Sequence, residues 1–250
     1  MTNYYIVAPT SGKYAESVGG SESLAGVVTA DNTLAEDIVE KRDPPIYKNV
    51  PVMMTLWIYF ILKLVLECLL SSCPTLTSYY FDWESTDSGL FLAFLGLLMF
   101  PANMFVAKLS HRYEDRELIN AALIIMLCSI VGFIAYSSKY SVIQYMLFGI
   151  CIFISTNALE GPNMALLSKS IPKSFAKGTF NAGFLATEAG TLARSIGDVL
   201  ITLAHHTSGI SGMLDATFVP MLGLVVVSVL LTRRYYNQMA EDDDEDSKSD

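Results

Sequence analysis

From Val50 onward, long apolar runs alternate with short polar breaks, and each run has about the 20 residues that a helix needs to cross a bilayer core. Six spans are predicted, over Pro51 to Ser71, Gly89 to Leu109, Leu118 to Ser137, Val142 to Leu167, Thr179 to Ala204 and Thr217 to Arg233. Residues 1–49 have a different pattern. They are rich in Ser, Gly, Thr and acids, end near Lys41-Arg42-Asp43-Pro44-Pro45, and read as a polar, mostly disordered segment. The one local element their pattern allows is a short helix over Leu34 to Lys41. The division predicted is therefore residues 1–49 as the polar segment, 50–236 as a helical bundle and 237–250 as an acidic disordered tail.

Composition agrees with this pattern. Of 250 residues, 52% are hydrophobic and 16% charged, with a mean hydropathy of +0.42, which is too apolar for an ordinary soluble domain. The fold class is an all-α membrane protein. The net charge of −9 lies largely in the tail AEDDDEDSKSD, so it does not imply a cationic partner, and no nucleic acid is expected to bind. Cys68, Cys73, Cys128 and Cys151 form no CxxC pair and have no His at zinc spacing, so they read as small core residues, and neither a metal nor a cofactor is implied. No signal-peptide pattern opens the chain and no N-x-S/T sequon occurs, so the first apolar helix is expected to serve as the insertion signal.

The basic residues orient the spans. Lys41, Arg42, Lys48, Lys108, Arg112, Arg116, Lys169, Lys173, Lys177, Arg233 and Arg234 fall on one set of flanks, and only Lys139 falls on the other. The positive-inside rule then places both termini in the cytoplasm. The loops YYFDWESTDS, SSKYS and HHTSGISGML face the opposite side, with Tyr79, Tyr80 and Trp83 as an interfacial aromatic belt.

The spans differ in what they carry. In the first, Tyr59, Lys63 and Glu67 recur at four-residue steps on one helix face, so Lys63 is expected to pair with Glu67. The second is expected to break at Pro101 beside Asn103, and the fourth at Gly161-Pro162 among Asn157, Glu160 and Asn163. The third and sixth lack interior ionisable residues and are assigned to the lipid-facing periphery. The fifth carries Glu188, Arg194 and Asp198, each costing about 2.5–3.5 kcal/mol at mid-bilayer, so it inserts poorly alone. Ala189, Ala193 and Gly197 form a small-residue ladder for close packing, and Glu188, Thr191, Ser195, Asp198 and Thr202 form a polar stripe.

At this point the residues resemble a family. YFILKLVLE, SYYFDW, YEDRELI and above all LEGPNMALLSKS and KGTFNAGFLATEAGTLARS look like the carboxy-terminal half of plant-type SPX–MFS vacuolar phosphate transporters, over about Val50 to Tyr236. The resemblance implies one six-helix half of a major facilitator fold, located in a vacuolar or other endomembrane. Its partners would be the lipid bilayer, inorganic phosphate or a similar anion, and either the amino-terminal half or a second copy of this chain. In that family an SPX domain and a first bundle precede this half. Residues 1–49 match the end of the joining loop, and the chain reads as one piece of a split or truncated whole, or as a half that dimerises.

A phosphate carrier needs fixed cations, best of all a guanidinium. Lys63 and Arg194, with Asn157, Asn163 and Thr191, are the substrate-binding candidates. Glu67, Glu160, Glu188 and Asp198 are the candidates for proton coupling or charge balancing, with Asp198 the expected partner of Arg194 and with Glu160 and Glu188 lacking a nearby cation. The simpler readings are neutralised intrahelical pairs that only hold the bundle, protonated Glu160 and Glu188 bonded to Asn or Thr, and interfacial His205 and His206. No nucleophile motif supports an enzyme. The second functional class is a non-transporting membrane subunit that binds partners through its polar ends.

Overall fold

The computed structural model describes residues 49–135, 140–171 and 181–239. The helix expected over Leu34 to Lys41, the flanking Lys41, Arg42, Lys48, Lys139, Lys173 and Lys177, the first residues of the fifth predicted span and most of the acidic tail lie outside the described residues.

Among the described residues five helices follow in order: α1 Val50–Phe81, α2 Ser85–Ser110, α3 Asp115–Phe133, α4 Val142–Ser170 and α5 Ala182–Arg234, with a 3-10 turn at Tyr236–Met239. Their starts are set by local chemistry. The Asn49 side chain accepts the Val52 N–H (3.3 Å) ahead of Pro51 in the first turn, and Asn181 does the same for Phe184 (2.9 Å). Acidic side chains reach back at the starts of α2 and α3, where Asp87 accepts the Glu84 N–H (3.1 Å) and Glu117 the Glu114 N–H (3.3 Å).

Among the described residues the expected six helices are corrected to five, because the last two predicted spans form one helical element. At about 1.5 Å per residue, the 53 residues of α5 would reach about 80 Å if straight, far beyond a bilayer core of about 30 Å. Its contacts show that it turns back instead. Gly190 lies against Tyr59 and Lys63, Gly197 against Glu67, and the Ser211 carbonyl accepts the Tyr80 hydroxyl, so α5 first ascends along α1. Ser228 then accepts the Trp57 indole N–H (3.0 Å), back near the start of α1. The reversal falls at Gly209, whose φ of 65° and ψ of −178° belong to a region open essentially to glycine alone. Arm a (182–208) and arm b (210–234) are each long enough to cross a bilayer.

Two further boundaries depart from expectation. α1 continues past Ser71 and through Pro74 to Phe81, ending on Asp82 in the left-handed conformation, so only residues 82–84 separate it from α2. α2 and α4 do not break at Pro101 or Pro162; each proline removes one backbone donor and the helix continues through it.

α1 is the centre of the bundle. It buries Ile58, Ile61, Leu62, Leu64, Val65, Leu69 and Leu76 almost completely, as expected of a helix that is apolar on nearly every side. α4 runs antiparallel to it, with Asn163 Nδ2 donating to the Thr55 carbonyl (2.9 Å) and Asn49 Nδ2 to that of Ser170 (3.0 Å). α3 pairs antiparallel with α4 through Gln144, which donates to the Gly132 carbonyl (2.9 Å), and through Lys169, which meets Asp115 at 2.9 Å. The assignment of the third and sixth spans to the periphery is not how this bundle packs. α3 buries Ile119, Leu123, Met126, Ile130 and Phe133, arm b buries Leu214, Phe218, Met221 and Val225, and the least covered helix is α2, which buries only Ser88, Phe91 and Leu95.

Of the expected belt residues, Tyr79 is exposed and Tyr80 and Trp83 are half-buried, beside an internal aromatic cluster. Phe81 stacks on Tyr140 (6.1 Å between ring centroids) and meets Tyr145 (5.6 Å), while Phe133 meets both Tyr145 (5.1 Å) and Phe218 (4.7 Å). The cluster joins α1, α3, α4 and arm b at the end of the bundle where α5 reverses. Tyr140, in the loop before α4, is buried there, and burial more than the neighbouring Tyr80 and Asp215 raises its phenol above the ordinary value.

The reversal gives a paired test. A Cβ at Gly209 or at Gly223 meets no atom within 4 Å, so the two positions differ only in backbone conformation. Gly209→Ala is expected to lower stability by about 1–3 kcal/mol, read as a fall in the thermal unfolding midpoint of the purified chain, while Gly223→Ala, on a regular helix, leaves it unchanged or raises it.

Candidate functional site: charges between α1, α4 and α5

The stripe on α1 that begins at Tyr59, Lys63 and Glu67 extends one step further to Ser71 and faces both α4 and arm a. Lys63 Nζ lies 2.7 Å from Glu160 Oε1 on α4, and the Tyr59 hydroxyl donates to the same oxygen at 3.1 Å. The ammonium also sits 5.3 Å from the centre of the Tyr59 ring, close enough for a cation–π contact. The Lys63 side chain keeps only 10% of its exposure. A charge so placed is tolerable only with a good partner, and Glu160 and Tyr59 supply one.

A second, looser contact lies one turn further along α1. Arg194 Nε stands 3.9 Å from Glu67 Oε2, while Glu67 Oε1 accepts the Ser71 hydroxyl at 2.6 Å. The Arg194 side chain is 58% exposed and donates no hydrogen bond to a described residue. Both expected pairings are therefore corrected, since Lys63 pairs with Glu160 rather than Glu67, and Arg194 faces Glu67 rather than Asp198. The reason is packing. α1, α4 and arm a approach closely enough that partners on other helices outcompete those one turn along the same helix. Glu160, expected to lack a cation, has one.

The close approach comes from small residues on arm a. Ala186, Gly190, Ala193 and Gly197 are buried against α1, a ladder that includes Ala193 and Gly197 as expected but runs through Gly190, with Ala189 only half-buried. A Cβ on Gly190 would stand 3.1 Å from the Tyr59 ring, and one on Gly197 3.3 Å from the Glu67 stem. On the opposite side of arm a, Glu188, Thr191, Ser195, Asp198 and Thr202 are all exposed, the polar face that their spacing predicts. The hydroxyls of Thr191, Ser195 and Thr202 donate to carbonyls of their own helix, and neither Glu188 nor Asp198 has an ion-pair partner among the described residues.

Asn157 and Asn163 are both buried in α4. Asn157 Nδ2 donates to the carbonyl of Phe153 in its own helix (2.7 Å), whereas Asn163 bridges to α1 and leaves its Oδ1 buried without a partner among the described residues. Sequence reasoning placed Tyr59 on the right face but gave it no role, and it missed Ser71 and Gly190. The four-residue step from Glu67 to Ser71 was the available signal. For Gly190 it was the run Ala186, Gly190, Ala193, Gly197, read one position out of phase. His205 and His206 are exposed near the reversal, away from this site.

The helices are long and apolar enough to span a membrane, they hold opposite charges between them, and arm a leaves a polar face uncovered. Residues 23–197 match the Major Facilitator Superfamily, and the chain belongs to it. Within that superfamily it is similar to SPX domain-containing membrane proteins, as expected for their carboxy-terminal half. One from Oryza sativa subsp. indica is 39% identical over 189 residues, covering 75% of this chain and 27% of the relative. Two from Arabidopsis thaliana are 39% and 40% identical over the same share of each chain. The chain thus spans about a quarter of the length of the curated relatives it matches. No solved structure matches it.

The inner ion pair makes a stability prediction. Lys63→Met strands the Glu160 carboxylate against α1 and is expected to destabilise the chain by about 2 kcal/mol or more. Glu160→Leu in the same chain should recover most of that loss, and a double-mutant cycle on unfolding in detergent reads the coupling.

Proposed function

We propose that this chain is one wall of a carrier for inorganic phosphate, or for an anion of similar charge and shape, in a vacuolar or other endomembrane. Both of its ends lie in the cytoplasm, and it performs no chemistry on the solute. The observation that carries the reading is the exposed Arg194 guanidinium, which has unused donors and stands beside an uncovered polar face in a chain similar to SPX domain-containing membrane proteins. A guanidinium matches the oxygens of a tetrahedral oxyanion, and in a water-poor cavity it is the strongest fixed donor the chain offers.

In this reading Arg194 and Thr191 meet the anion, with Lys63, Asn157 and Asn163 deeper in the same wall. Glu67, Glu160 and Asp198 balance charge, and Glu188, which faces the open side without a cation, carries the coupling proton. A solute path needs two walls, so the partner is the amino-terminal half of a complete carrier or a second copy of this chain.

Two measurements test this. Paired with its other half and reconstituted in liposomes, the chain should move labelled phosphate, and Arg194→Lys should lose most of that flux at unchanged membrane expression, because an ammonium cannot reproduce the planar fork. These 250 residues alone should move little phosphate. Flux unaffected by Arg194→Lys would sink the site assignment, and absence of flux from any completed assembly would favour the non-transporting subunit. For orientation, single cysteines at Ser85 and Ser211 should react with an impermeant reagent from the luminal side, and those at Ser174 and Ser247 only from the cytoplasm. The reverse labelling would overturn the topology.

A further inference from the structure

The two cations of the wall are held in different ways, and the difference separates their roles. Lys63 has a short, hydrogen-bonded partner, a ring beneath its ammonium and almost no exposure. Its stem is boxed in as well, since a Cβ on Gly190 would already reach Lys63 Cγ at 3.5 Å. Removing Glu160 from it would leave two charges between helices without partners.

Arg194 and Glu67 are held more loosely. At 3.9 Å the contact is an ion pair without a hydrogen bond, and the guanidinium is more than half exposed. Glu67 has a firmer partner than Arg194, because its other carboxylate oxygen accepts the Ser71 hydroxyl at 2.6 Å. Its Cβ and Cγ lie against Gly197, which fixes the stem and leaves only the terminal torsion free to turn the carboxylate. The next charges along the two helices are Asp198, four residues on from Arg194 along arm a, and Lys63, one turn back on α1.

We propose that Glu67 is a displaceable counter-ion. In the empty wall it bridges Ser71 and Arg194; an incoming oxyanion takes its place on the guanidinium while Glu67 stays on Ser71, and Lys63 stays locked to Glu160 throughout. Glu67 and Ser71 thereby set how tightly the wall holds an anion. The proposal rests on the reading of the site as an anion site.

The test is protection of Arg194 from phenylglyoxal in the full chain in lipid nanodiscs, scored on the Arg194 peptide by mass spectrometry across a titration of inorganic phosphate. With E67Q the competing charge is gone, and the phosphate needed for half-protection should fall about tenfold. With S71A the carboxylate loses the hydrogen bond that holds it 3.9 Å from the guanidinium and is free to close on Arg194, so the phosphate needed should rise. Protection that is equal in wild type and E67Q overturns the counter-ion role while leaving the anion site standing. Protection in neither overturns the anion reading and the proposal with it. Should E67Q fail to fold, S71A decides alone, a rise supporting the role and no change overturning it.

Discussion

The structure depends on one constraint, that an ionised group between membrane helices must find its partner on a neighbouring helix. Lys63 and Glu160 satisfy it most completely. Their contact fixes the register of α1 against α4 and, through Tyr59, brings the same cluster against Gly190 of arm a. The close packing of α1 on arm a and the burial of Lys63 are therefore one fact. A larger residue at position 190 would push arm a away from the Tyr59 ring and open the ammonium to lipid or water.

Around this centre the wall has two layers. The inner layer, Tyr59, Lys63, Glu160 and Asn163, is buried or half-buried and tied across helices by hydrogen bonds. The outer layer is Arg194, Thr191, Glu188 and Asp198, all exposed, with the half-buried Glu67 only loosely paired to Arg194. Under the proposed reading as one wall of a carrier, the inner groups would preserve the bundle while it moves and the outer ones would exchange partners with the solute.

The helical class, the approximate positions of the spans and the polar face of arm a were legible in the sequence, because hydropathy period and small-residue spacing act along one chain. The pairing of charges was not. Lys63 and Glu67 share a helix face, and only the antiparallel placement of α4, set by contacts about a hundred residues apart, decides that Glu160 takes the lysine. Pro101 and Pro162 looked like breaks because proline removes a donor, yet the flanking turns of each helix carry the chain straight through. The real break fell at Gly209 within a stretch expected to be a loop, where the sequence showed a glycine but not the positive φ that folds α5 back.

That reversal also bears on how the chain enters a membrane. Arm a carries Glu188, Arg194 and Asp198 and is a poor candidate for lateral release into lipid by itself. Arm b is apolar along most of its length and joins it through a single non-helical residue. A hairpin so tight leaves no intervening loop to be threaded across separately, so the insertion machinery meets both arms as one unit. The hydrophobicity of the second arm then offsets the charge of the first, and α1 supplies Glu67 as a counter-charge to Arg194 once the pair has docked.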